Sequence, residues 1–94
     1  MFYTVFHAKE PTFGFGDTPK FPRGYTAVAW IESETLADTF RITNHISESW
    51  EENPEVVKVL SPNNRSTSVG DIMEDADGKV FICEMVGWKE LEVA

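Results

Sequence analysis

The sequence predicts an α+β fold. Residues 1–94 form a single small domain: a mostly antiparallel sheet of five or six strands with one short helix packed on it, and a C-terminal hairpin curled into a half-barrel. Three observations predict this. Short runs rich in β-branched and aromatic residues recur between glycine- and proline-bearing turns. One segment, about residues 34–43, carries helical spacing behind a capping residue. Asp77-Gly78 between two apolar runs marks a tight hairpin, because glycine takes the positive φ such turns require.

The first strand is "FYTVFHA" (2–8). Residues 9–24 follow as a loop with three glycines and three prolines, and its Phe13, Phe15 and Phe21 are expected to fold back as a lid over the core. The alternative for these rings is an exposed apolar patch that binds something. "YTAVAWI" (25–31) is the second strand, with Tyr25, Ala27, Ala29 and Ile31 on one face and Thr26, Val28 and Trp30 on the other. Both faces are largely apolar, which predicts a central strand covered on both sides.

Ser33 occupies the expected N-cap position, and Glu34 and Asp38 put negative charge at the positive end of the helix dipole. Leu36, Ala37 and Phe40 then form the buried stripe. So short a helix needs the sheet for its stability. Residues 44–56 read as an irregular acidic segment with a lone tryptophan. "EVVKVL" (55–60), "TSVGDIME" (67–74) and "KVFICEMV" (79–86) are further strands, and "GWKELEV" (87–93) a last strand or edge. The order is β-β-α-β-β-β.

Composition narrows the class. Hydrophobic residues make up 41% of the chain and charged residues 26%, which supports a packed globule over a disordered chain. Cys83 is the sole cysteine, so an intrachain disulfide is excluded and a reducing compartment is expected. The opening lacks a basic start followed by a long apolar stretch, and no run approaches the roughly 18 apolar residues of a membrane span. A cytoplasmic protein without membrane contact is expected.

The net charge of -8 is unevenly spread: residues 32–55 carry -6 and residues 71–77 carry -4, while 1–31 and 56–70 are weakly positive. Nucleic-acid binding demands clustered Lys and Arg, and the eight here are scattered singly. Acidic blocks suit instead a protein partner with a basic surface, or solubility alone.

Chemistry-bearing motifs are sparse. Asp75, Asp77, Gly78 and Glu84 match positions 3, 5, 6 and 12 of a calcium loop, but Met73 would stand at position 1 and cannot ligate. The hairpin explains Asp77-Gly78 without a cation. Cys83 sits in an apolar strand, and His45 just beyond the helix, where a ring could cap the last carbonyls. With His7 the only other histidine, a zinc site lacks ligands. Paired carboxylates such as Glu51–Glu52 fall in polar loops, without the burial a general acid needs. No metal or other cofactor is expected.

One motif stands out, "NNRSTSVGD" (63–71). Its structural reading is a built turn: Asn64, Ser66 and Ser68 bind local backbone, Val69 enters the core, Gly70 permits a bulge or close packing, and Asp71 either caps the bend or pairs with Arg65 across the turn. Its functional reading is that Arg65 and the hydroxyls offer donors to a partner.

The stretch "RSTSVGDIM…DGKVFICEMVGWKEL" resembles the ending of a family of small bacteriophage, plasmid and other mobile-element proteins, in which "RSxSVGD" precedes a hairpin and a closing "VG(F/W)xxL". Upstream, "FPRGYTAVAWIESETLADTFRITNHI" and a following W-x-x-N piece are similar too, so the resemblance runs from Phe21 onward. It implies a mobile-element protein acting inside a bacterial cell, with relatives of anti-restriction or accessory type, and assigns no residue a role.

The expected function is therefore a non-catalytic acidic binding module, with Glu48, Trp50, Glu51, Glu52, Arg65 and Asp71 as candidate partner-binding residues. A sharper form is inhibition of a host defence nuclease by imitating DNA charge, with carboxylates near the spacing of neighbouring phosphates, on the order of 7 Å. Two alternatives belong to other classes: an enzyme with a site around His45, Trp50, Arg65 and Asp71, and a small barrel that stacks nucleic-acid bases on its aromatic rings.

Overall fold

The computed structural model describes residues 1–10, 21, 23–44, 50, 54–60 and 65–91. Among these residues, six strands and one helix appear in the order β1 (Phe2–Ala8), β2 (Tyr25–Glu32), α1 (Leu36–Thr43), β3 (Val56–Val59), β4 (Ile72–Glu74), β5 (Val80–Cys83) and β6 (Trp88–Leu91). The strands form one sheet in the order β3-β2-β1-β4-β5-β6, and every pairing is antiparallel. The α+β class and the element order are as the sequence predicts. The sheet stays open, with β3 and β6 as its edges.

The two faces carry separate apolar clusters. On the helix side, Val5, Val28, Ala29, Ile31 and Met73 pack with Ile42 of α1 and with Trp50. On the other side, Ala8, Tyr25, Ile72, Val80 and Ile82 pack together beneath Phe6, Phe21 and Leu91. Period-two alternation along β1 explains the split: Tyr3, Val5 and His7 face the helix, and Phe6 and Ala8 the opposite side.

The faces expected for β2 need correcting. The β1–β2 register shifts between Val5 and Phe6: Val5 faces Ala29 and Phe6 faces Ala27, leaving Val28 as an extra residue. Such a bulge reverses alternation beyond it. Val28 therefore joins Ala29 and Ile31, while Tyr25 serves the opposite cluster. Of the expected lid, Phe21 is described; it meets Phe6 edge-on at 5.0 Å and Tyr25 at 5.8 Å. Phe13 and Phe15 lie outside the described residues.

Helix α1 begins two residues later than expected, and its N-cap is Thr35. The backbone of Thr35 is extended (φ -141°, ψ 165°), and its hydroxyl accepts from the Asp38 N–H at 3.1 Å. Ser33, the expected cap, bonds the Thr39 hydroxyl and the Thr35 carbonyl instead. Thr39 and Thr43 are fully buried, and their hydroxyls donate to the carbonyls of Thr35 (3.0 Å) and Thr39 (2.9 Å), so neither hydroxyl is stranded in the core. Ile42, 1% exposed, contributes on the order of 1.5–3 kcal/mol by burial.

The 67–74 run is a strand only at Ile72–Glu74; residues 65–71 are irregular. The β4–β5 hairpin closes as its Asp-Gly pair predicts. Asp75 Oδ1 accepts from the N–H groups of Asp77 (3.0 Å) and Lys79 (2.9 Å), and Gly78 sits at φ +84°. No described helix is long and apolar enough to cross a membrane.

Candidate functional site

The 65–71 segment is where most chemistry-bearing side chains meet. Arg65 approaches Asp71 as a two-pronged fork, Nη1 to Oδ2 at 2.6 Å and Nη2 to Oδ1 at 2.8 Å. Planar guanidinium and planar carboxylate match in this geometry, which a lysine could not reproduce. The remaining acceptor capacity of Asp71 is used by backbone: Oδ1 accepts from the Ala8 N–H and Oδ2 from the Ser68 N–H, each at 2.8 Å. Arg65 also donates to the carbonyls of Ser66 (3.0 Å) and Ala8 (3.2 Å). The ion pair thus ties the loop to the end of β1.

The same loop is bonded to four other parts of the molecule. Thr67 donates its N–H to the Thr43 carbonyl at the end of α1 (2.9 Å), and Asn44 Nδ2 donates to the Thr67 carbonyl (2.5 Å). The Trp50 indole N–H donates to the Arg65 carbonyl at 2.9 Å. The Tyr25 hydroxyl, from β2, donates to the Gly70 carbonyl at 2.9 Å. Gly70 N–H donates to the Cys83 carbonyl, and Cys83 N–H to the Asp71 carbonyl, joining β5. Gly70 holds φ +95°, which a residue with a Cβ adopts only under strain.

His7 completes the knot. Its Nε2 lies 2.8 Å from the Thr67 hydroxyl, and its ring meets Trp50 edge-on at 6.2 Å. The ring is 5% exposed, and this burial, offset in part by Asp71 and reinforced by Arg65, lowers its pKa to about 4. At neutral pH His7 is therefore an uncharged packing and hydrogen-bonding group. Burial, with Asp71 and Glu84 adding to it, raises the Cys83 thiol to about 11, so its thiolate is scarce at pH 7. No buried side-chain nitrogen or oxygen among the described residues lacks a partner.

Of the six candidate partner-binding residues, Trp50, Arg65 and Asp71 come together here. Trp50 and Asp71 are 2% and 1% exposed, which places them inside the molecule rather than on a surface that a partner touches. Arg65, with 31% of its side chain exposed, is the accessible member. Glu48, Glu51, Glu52 and His45 lie outside the described residues. The sequence pattern does not single out His7, Thr67, Tyr25 or Asn44 as members of this cluster. Alternation along "FYTVFHA" is the available signal for His7, since it puts that residue on the face of Val5.

The acidic block supplies a second site. Glu32 ends β2, Glu34 precedes the N-cap, Asp38 stands in the first turn of α1, and Glu55 precedes β3. All four line one open groove of about 410 Å³ with Met1, Ser33, Arg41 and Ile42. Two backbone bonds hold its walls: Glu32 N–H to the Glu55 carbonyl (2.9 Å) and Ser33 N–H to the Met1 carbonyl (3.0 Å). Arg41 approaches Asp38 at 3.8 Å, a distant and exposed i,i+3 contact of little energetic weight. Among the described residues, no three His, Cys, Asp or Glu side chains are grouped so as to hold a metal ion.

No family model, no curated protein and no solved structure matches this chain.

Proposed function

We propose that this protein is a non-catalytic binding module that grips the basic surface of another protein through its acidic groove. The supporting observation is convergence. Glu32, Glu34, Asp38 and Glu55 are all the described acidic residues of the 32–55 block, and all four line one groove. Clustered like charge raises the local potential and steers an oppositely charged partner. The polar knot at 65–71 supports the non-catalytic part of the reading. Each Asp71 oxygen already accepts two hydrogen bonds, His7 is neutral, and the Cys83 thiol is held protonated.

The finer form of the proposal places the protein in a phage or other mobile element, where it occupies the DNA-binding cleft of a host defence nuclease. The acidic groove and the resemblance of the "RSTSVGD" ending support it. The test is capture of partners from a bacterial lysate on the tagged protein, with mass spectrometry of what remains bound. Proteins with basic clefts should be retained, released by salt, and lost when Glu32→Gln, Glu34→Gln, Asp38→Asn and Glu55→Gln are combined. Equal retention by that variant removes the groove from the function. Partners that hold duplex DNA and this protein simultaneously refute the mimicry.

A second reading rests on Phe2 and Trp30, which are 54% and 43% exposed on the sheet face away from the helix, with the Lys58 ammonium 5.5 Å from the Trp30 ring centre. Such a platform could stack bases. Low-salt retention on single-stranded DNA that Trp30→Ala abolishes would favour it over the acidic-groove reading.

A further inference from the structure

The two edges of the sheet are finished differently. On β6, exposed Lys89 and Glu90 stand between half-buried Trp88 and Leu91, and charges of this kind discourage another strand from pairing. On β3 the exposed side chains are mostly apolar: Val57 is 52% exposed, and Val59 and Leu60 are 36% each. The one charge, Lys58, is directed over Trp30 on the sheet face. Leu60 N–H donates to the Val28 carbonyl, so by alternation the N–H and C=O of Val59 point away from β2. Val57 is the extra residue of a second bulge, since Trp30 faces Lys58 and Ile31 faces Val56.

This apolar edge begins at the acidic groove: Glu55, which immediately precedes β3, lines it together with Glu32, Glu34 and Asp38. We propose that β3 is a docking edge for an extended peptide segment of a partner, added to the sheet as a seventh strand. Main-chain hydrogen bonds to Val59 supply affinity, and apolar side chains of the segment cover Val57, Val59 and Leu60. Charge complementarity defines the rest of the occupant, a Lys or Arg at the end of the segment that meets Glu55. The charged end rests on the acidic-groove reading above; the strand pairing does not.

The test uses a displayed library of random peptides panned on the intact protein. Enriched clones are expected to alternate β-branched residues and to carry Lys or Arg at the end that meets Glu55. Val59→Pro removes the outward N–H but no bond to β2, and it should weaken those clones about tenfold, the worth of one or two main-chain hydrogen bonds. Val59→Lys, which keeps the N–H but charges the edge, is the second variant should proline disturb folding. No enrichment, or binding unchanged in both variants, overturns the inference. Binding lost only on neutralising the four carboxylates overturns it while sparing the acidic-groove function. Binding lost only on altering Val59 does the reverse, and removes the basic occupant. Sedimentation showing a dimer that Val59→Pro dissociates would assign the edge to a second copy of this chain and refute the proposal.

Discussion

Replacing Asp71 with Asn changes one atom of the carboxylate and tests whether the 65–71 knot holds the fold. Each carboxylate oxygen accepts one backbone N–H and one Arg65 N–H. The amide nitrogen that Asp71→Asn introduces must replace one of those oxygens, and in either orientation it faces two donors. Two charge-assisted hydrogen bonds, each worth about 1.5–3 kcal/mol, are then lost. The guanidinium also loses its counter-charge. Removing one partner of a buried pair typically costs about 3–5 kcal/mol. Because 31% of the Arg65 side chain reaches solvent, water recovers part of that loss, and the low end, about 3 kcal/mol, is expected. Domains of this kind have about 5–15 kcal/mol in total. Urea denaturation at pH 7, followed by tryptophan fluorescence, reads the change as a lower midpoint at constant slope. A loss below about 1 kcal/mol would refute the view that this pair organises the loop.

The other predictions concern separate parts of the molecule. His7 has a folded pKa of about 4 against 6.5 unfolded, so the unfolded chain takes up its proton first. Stability from His7 is fully present above pH 6.5 and is lost as pH falls toward 4, by up to about 3 kcal/mol; a pH series of urea melts should show the slope, and His7→Asn should flatten it. Thr35→Ala should cost about 1 kcal/mol as a lost N-cap, and Ser33→Ala less; equal losses in thermal melts would contradict the capping assignment. Cys83 should react slowly with a thiol reagent at pH 7 in the native protein and rapidly in urea, because its thiol is buried and its pKa raised to about 11. Arg65→Lys keeps the charge but cannot form the fork, and should destabilise by less than Asp71→Asn in the same denaturation assay.

Local physics made much of the fold legible in the sequence. "FYTVFHA" is rich in aromatic and β-branched residues, and β1 spans Phe2–Ala8 as that composition predicts. Asp77-Gly78 specifies its own turn, since the need for positive φ is met within two residues. The Arg65–Asp71 pair was readable as one of two roles for Asp71, because six residues of separation across a turn bring a guanidinium and a carboxylate within reach, while a bend cap was equally open. Glu32, Glu34, Asp38 and Glu55 were readable as an acidic block, though not as the walls of one groove.

What the tertiary structure decided depends on residues far apart in the chain. The bulge at Val28 reverses the faces of β2, and it follows from pairing with β1 rather than from anything within "YTAVAWI". The N-cap moved from Ser33 to Thr35 because Ser33 is engaged by Thr39 and by the chain's path beside Met1. Trp50 reads as a surface tryptophan in a polar segment, yet its indole is buried against His7 and Arg65, 43 and 15 residues away. Periodicity and turn chemistry act over a few residues, so sequence alone determines strands, hairpins and charge blocks. Partnerships between distant residues exist only once the sheet order is set, and that order determines which polar residues become internal staples and which carboxylates share a groove.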